Sequence, residues 1–298
     1  MIDFDISRYE ERIGASRRRM EAARRFEEGD MVPTAVSAGG SYFSWLFGVN
    51  IRHYYTDIDT QIEVQARAVK WRFENLDDDR TDYSLHLDNG PIGEAIVFGA
   101  EVVYPDNTSP RIVPFLETPA DIERLEVRDP RDNPRVQEAL ERARKFKERA
   151  QQLRVPLPVG VSGVGIHPPL SCACAIMEPR IVYEMMANDP EPIQLLFRKC
   201  FDAFCMVKDY MDELFSGGKR SGHLGLADDN SAFVSDPMYR EQVLPWNLRL
   251  YERYGFKSRS LHADGPNAHH FHTYVQDVKL TQMDIGGSSK IEPADEIL

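Results

Sequence analysis

Residues 261–265, Leu-His-Ala-Asp-Gly, place an imidazole and a carboxylate two positions apart. On an extended segment, side chains at i and i+2 point the same way, so His262 and Asp264 converge on one small volume. Two chemistries suit such a pair. The nitrogen and the carboxylate oxygen could be ligands of a divalent metal such as zinc, or the two groups could act as a metal-free acid and base. An acidic segment, Gly222-His-Leu-Gly-Leu-Ala-Asp-Asp-Asn230, precedes them by one strand–helix unit. His86, His167, Asp88, Asp228, Asp229 and Asp284 also fall at or just past the ends of expected strands. In a parallel α/β fold those ends ring one pocket. Capping of the following helices is the competing role for Asp229 and Asn230.

The elements that must hold these groups follow from hydrophobic period. Ile193, Leu196, Phe197, Cys200, Phe204, Val207, Met211 and Leu214 keep a 3.6-residue spacing, which predicts a helix over 191–215. Helices are also expected over 57–76, 134–152, 237–254 (kinked at Pro245) and 266–277. Strands are expected over 31–40, 83–87, 155–162, 223–228, 258–263 and 279–285. Residues 7–29 read as an exposed N-terminal helical extension, and about 95–118 as a hairpin insertion. The alternation gives a parallel α/β fold, taken as one domain over 1–298. Residues 292–298 look like the start of a further helix.

Of the 298 residues, 42% are hydrophobic and 28% charged, enough for a core without disulfides. A net charge of −12 argues against nucleic-acid or anionic-membrane partners. The four cysteines show no secreted-scaffold spacing, and no run reads as a signal peptide or a membrane span, so a cytoplasmic protein with reduced thiols is expected. Cys172 and Cys174 read as buried small residues. His269, His270 and His272 read as a solvated helix face, with His269 near enough to the turn to reach the pocket. No phosphate-loop pattern surrounds Gly39-Gly40 or Gly286-Gly287.

Several segments, in order, resemble the uroporphyrinogen decarboxylase superfamily. They are Phe47-Gly-Val-Asn-Ile-Arg-His-Tyr-Tyr55, Gly93-Glu-Ala-Ile-Val-Phe-Gly-Ala-Glu-Val102, Leu116-Glu-Thr-Pro-Ala-Asp-Ile-Glu-Arg-Leu125 with Arg128-Asp-Pro130, and Met186-Ala-Asn-Asp-Pro-Glu-Pro192. Asp228 with Phe233-Val-Ser-Asp-Pro-Met-Tyr-Arg-Glu-Gln-Val-Leu-Pro245, and Leu261-His-Ala-Asp-Gly265, complete the set. The resemblance implies a TIM-type (β/α)8 barrel with its pocket at the strand C-termini. The decarboxylases themselves carry an Arg-rich loop after the first strand; here Ser37-Ala-Gly-Gly-Ser-Tyr-Phe43 has no cation. That leaves the branch of cobalamin-dependent methyltransferases, whose implied zinc ligands are His-x-Cys and a later Cys.

His262 matches the family histidine, and Asp264 stands in the cysteine's place. A carboxylate makes a harder site, suited to polarising oxygen rather than delivering a thiolate. The resemblance thus implies a methyl transfer between methylcobalamin on a partner corrinoid protein and a small-molecule or pterin substrate. In it His262, Asp264 and Asp228 are catalytic, and Asn89, His167, Asp229, Asn230 and Asp284 line the pocket. A decarboxylase acting on a smaller carboxylated substrate, and a non-catalytic corrinoid or tetrapyrrole carrier, are the alternatives. A third metal ligand would lie beyond Leu298. The last strands expected of the barrel are missing from the chain; either it is a fragment or partner chains, as in a homodimer, complete it.

Overall fold

The computed structural model describes residues 4–160 and 162–285. Its helices and strands run α1 (Glu10–Arg24), α2 (Gly40–Leu46), α3 (Ile51–Thr56), α4 (Ile58–Asn75), α5 (Gly93–Phe98), β1 (Glu101–Val103), β2 (Arg111–Val113), α6 (Pro119–Arg124) and α7 (Pro134–Gln152). There follow α8 (Pro169–Ile176), α9 (Pro179–Asn188), α10 (Pro190–Ser216), β3 (His223–Ala227), α11 (Asp236–Met238), α12 (Leu244–Tyr254), β4 (Ser258–Ala263), α13 (Phe271–Thr273) and β5 (Gln282–Ile285). Two compact units interleave along the chain. One holds the residues up to 91 with Tyr104–Arg111 and Ala139–Gly163; the other holds Ile92–Val103, Ile112–Glu138 and the residues from 164 on.

The second unit carries a parallel sheet in the order β3-β4-β5. Leu224, Leu226, Leu261 and Ala263 are buried from one face of it, in a core with Leu196, Phe197 and Cys200 of α10 and Leu250 and Tyr251 of α12. Alternation then directs His262 to the opposite face. The register sets Ala227 beside His262 on one side and Asp284 on the other. Helix α10 ends at Gly217, whose left-handed φ of +59° closes the last turn. Lys199 on α10 donates to the carbonyls of Ile122, Glu123 and Leu125, so it satisfies the C-terminal end of α6.

The first unit departs from the expected strands. Residues 31–39 form none: Asp79 and Asp78 accept the N–H groups of Thr34 and Val36, at 3.0 and 2.9 Å. Carboxylates there replace the neighbouring strand as hydrogen-bond partners. Expected strands 83–87 and 155–162 meet at a single parallel bridge, Leu85 to Val159. Gln65 and Gln61 of α4 accept the N–H groups of His86 and Asp88, and Ser162 accepts that of Leu87, so side chains again substitute for a ladder. The parallel α/β class stands, while no closed barrel is formed by the strands of the described residues.

Two expected helices are segmented. Residues 236–254 divide into α11, a wide i+5 turn over Tyr239–Val243, and α12, where Pro245 sits in the first turn rather than kinking an interior. Residues 266–277 divide likewise around α13 and end at Lys279, with φ of +58°. The expected helix at 292–298 lies outside the described residues.

Candidate functional site

β4 delivers His262 to the site, and the parallel register brings Asp284 of β5 alongside. His262 Nδ1 lies 2.9 Å from Asp284 Oδ2. A carboxylate accepts, so the proton belongs on Nδ1 and Nε2 is left for another role. Nε2 stands 3.8 Å from Asp229 Oδ1 and 3.9 Å from Asp264 Oδ2. Asp229 Oδ1 also accepts the backbone N–H of Asp264 at 2.8 Å, which ties the end of β3 to the end of β4. The His262 side chain is 43% exposed, so the cluster is open to solvent on one side.

Burial alone disfavours the charged imidazole of His262. The hydrogen bond His262 donates to Asp284 and the charges of Asp229, Asp264 and Asp284 outweigh it and raise the ring's pKa. Ligand atoms of Asp229, His262 and Asp264 all lie within 4.8 Å of one another, near enough to converge on one cation. One imidazole and two carboxylates make a donor set for zinc or a harder divalent ion. Asp284 would then be the outer carboxylate that fixes the tautomer and orientation of a ligating histidine.

Asp228 turns the other way. It is 1% exposed, and its carboxylate accepts from Ser171 Oγ at 2.7 Å and from Asn247 Nδ2 at 2.9 Å. Parity with Leu224 and Leu226 along β3 explains this, because that face is covered by helices. Burial pushes the Asp228 carboxyl up, against the lowering effect of those two hydrogen bonds. Asn230 is held by Tyr183, whose hydroxyl donates to its Oδ1 at 2.9 Å, and its N–H reaches Ser171 Oγ at 3.3 Å.

His167 precedes α8 and pairs with Glu94 of α5. Glu94 Oε1 accepts the His167 backbone N–H at 2.6 Å and lies 2.8 Å from its Nδ1. Glu94 is fully buried; its hydrogen bond raises the His167 pKa against the opposing effect of burial, and the charges of Asp229 and Asp228 add to the rise. Gly93 permits the approach of α5: a Cβ there would lie 1.8 Å from the Gly165 carbonyl oxygen. Asn89 belongs to the first unit, where it accepts from Arg142 at 3.1 Å.

The acids Asp229, Asp264 and Asp284 therefore gather at His262, while Asp228 and Asn230 belong to a network around Ser171. Asp229, expected on the pocket wall, brings a carboxylate oxygen within 4.8 Å of ligand atoms of His262 and Asp264. Glu94, Ser171 and Asn247 carry no sequence signal of their own, since their partners are distant along the chain. His270 is not on a solvated face: it is fully buried between Asp236 Oδ1 and the Ser231 carbonyl, at 3.1 and 3.0 Å. His269 turns its Nε2 to the Val234 carbonyl. Cys172 and Cys174 are buried, as expected.

The family model described as uroporphyrinogen decarboxylase (URO-D) matches residues 90–297. Among solved structures, a methyltransferase from Methanosarcina mazei shares the fold with a TM-score of 0.59 and 17% identity, covering 90% of this chain and 75% of that one. Comparison with curated protein sequences found no match.

Proposed function

This chain belongs to the uroporphyrinogen decarboxylase family, and from that premise we propose that it is a corrinoid-linked methyltransferase. It moves a methyl group between a corrinoid carried by a partner protein and an oxygen or nitrogen of a small-molecule or pterin substrate. The observation that carries the reading is the His262 cluster: one free imidazole nitrogen, two carboxylates within 4 Å of it, and a third carboxylate holding the ring. The fold likeness to a methyltransferase supports it, as does the lack of Lys or Arg within segment 37–43, in contrast to the Arg-rich loop of the decarboxylases. The parallel β3-β4-β5 sheet is, on this reading, part of a (β/α)8 barrel with the cluster at its strand C-termini.

His262, Asp229 and Asp264 would hold a zinc ion. Bound there, zinc supplies a Lewis acid that polarises a substrate oxygen. Asp284 keeps the proton on Nδ1, so that Nε2 presents its lone pair. Asp264 is held at the mouth by its own N–H bond to Asp229. Asp228 acts as the buried hub that fixes Ser171 and, through it, the Asn230 wall.

The test combines metal analysis of the purified protein with the absorbance of methylcobalamin incubated with candidate acceptors. Wild type is expected to retain zinc and to demethylate the corrinoid. His262→Ala is expected to lose both while its circular dichroism and thermal midpoint stay unchanged. Full methyl transfer by that folded variant overturns the assignment. Release of CO2 from a carboxylated substrate without corrinoid would replace it with a lyase.

A further inference from the structure

Besides His262, the second unit holds another imidazole whose partner is far less exposed. We propose that His167 is a proton donor to a neutral substrate oxygen, with Glu94 as its positioning residue. The inference rests on the methyl-transfer reading for the reaction it serves, though not for the geometry that suggests it.

Glu94 is fully buried, yet only Oε1 is used; Oε2 has no hydrogen-bond partner among the described residues. A buried carboxylate so sparsely solvated needs a compensating charge close by. His167 is in the right place to provide it. Oε1 accepts both the backbone N–H and the ring Nδ1–H, at 2.6 and 2.8 Å, so Glu94 is anchored by the main chain and rotation of the ring loses its bond to that fixed oxygen. Nε2 has no partner among the described residues, and the side chain is 31% exposed, so a ligand can reach it. This is the logic of an oriented acid–base imidazole: a carboxylate fixes one nitrogen so that the other can work.

The surroundings select the ligand. Glu94 from α5, and Asp228 and Asp229 from the end of β3, all favour the protonated ring of His167. Such a setting raises the ring's affinity for a proton and disfavours a carboxylate ligand relative to a hydroxyl or ether oxygen. In demethylation of an ether, the C–O bond breaks with its electron pair left on oxygen. That oxygen takes the Nε2 proton, and the methyl group passes to the nucleophilic cobalt of the corrinoid, whose electron pair makes the new bond. His167 is left neutral with Nδ1–H still on Glu94, ready to be reprotonated.

The test uses the full chain labelled with 15N-histidine, without metal or corrinoid. His167 resonances are identified by their loss in His167→Gln. At neutral pH both ring nitrogens should carry protons, with a titration midpoint above that of an ordinary histidine. Glu94→Gln should lower the midpoint by about one pH unit or more, as expected when an adjacent opposite charge is removed. Phenol should shift the Nε2 resonance in wild type, and benzoate should need at least about tenfold more for the same effect, which corresponds to 1.4 kcal/mol. A singly protonated His167 at neutral pH, an unchanged midpoint in Glu94→Gln, no response to phenol, or a stronger response to benzoate each overturns the proposal. Because none of these readouts involves methyl transfer, a protein that passes them but cannot move a methyl group loses only the proposed function.

Discussion

His262 has three carboxylates around it but only one at hydrogen-bonding distance, and that difference separates their roles. Asp284→Asn should leave the imidazole in place while weakening its orientation, lowering zinc affinity by about 10–100-fold in a competition titration. Asp228→Ala should act on stability instead. It strands the donors of Ser171 and Asn247 in a buried site, a loss of about 2–3 kcal/mol in urea unfolding. At this scale the sequence was most legible where local geometry dictates direction. The His262–Asp264 pair follows from i, i+2 spacing alone, and the placement of Asp284 needed only the strand that carries it. Asp228 and Asp229 are adjacent in sequence yet face different environments, because the chain leaves the strand at Asp228, with φ −131° and ψ 56°. Nothing in the residue types announces that break. Glu94 and Asn247 were illegible for another reason: their partners are 73 and 19 residues away.

Elements whose side chains repeat at a clean period were read nearly to the residue. α7 and β4 match their expected bounds, and α10 is extended by one residue at each end. Strand 31–40 was over-read, and 83–87 meets 155–162 in parallel only at Leu85 and Val159 among the described residues, because residue types report burial, not hydrogen-bond partners. Carboxylates of Asp78 and Asp79 serve Thr34 and Val36, and amides of Gln61 and Gln65 serve His86 and Asp88, while Leu85 pairs with the backbone of Pro158 and Gly160. Two element-scale predictions follow from long-range contacts of the second unit. Lys199→Met removes three charge-assisted bonds from the end of α6 and should cost about 2 kcal/mol in chemical denaturation. Gly93→Ala drives a methyl group into the Gly165 carbonyl and should cost about 3 kcal/mol, with loss of the His167–Glu94 bond visible in the histidine resonances.

Across the whole molecule, charge and burial set the response to pH. With 48 acidic against 36 basic side chains, solubility should be lowest near pH 5.2. No helix of the described residues is long and apolar enough to cross a membrane. Burial lowers the His270 pKa below 6.5, only partly offset by Asp236. The folded state then binds that proton less readily than the unfolded chain. Its contribution is full above the ordinary histidine value and fades as pH falls through the lower folded value. The difference in unfolding free energy between wild type and His270→Gln should therefore shrink on acidification below about pH 6.5; a difference that grows instead would contradict the burial argument. The pairing of β4 with β5 has a consequence of its own. The histidine's outer carboxylate is supplied by a strand with a neighbour on one side only among the described residues. A slip of that strand by one residue would turn Asp284 to the far face and leave the ring free to spin. Backbone amide exchange at residues 282–285 should thus report on readiness for chemistry: conditions that fray this edge would silence the site long before the protein unfolds.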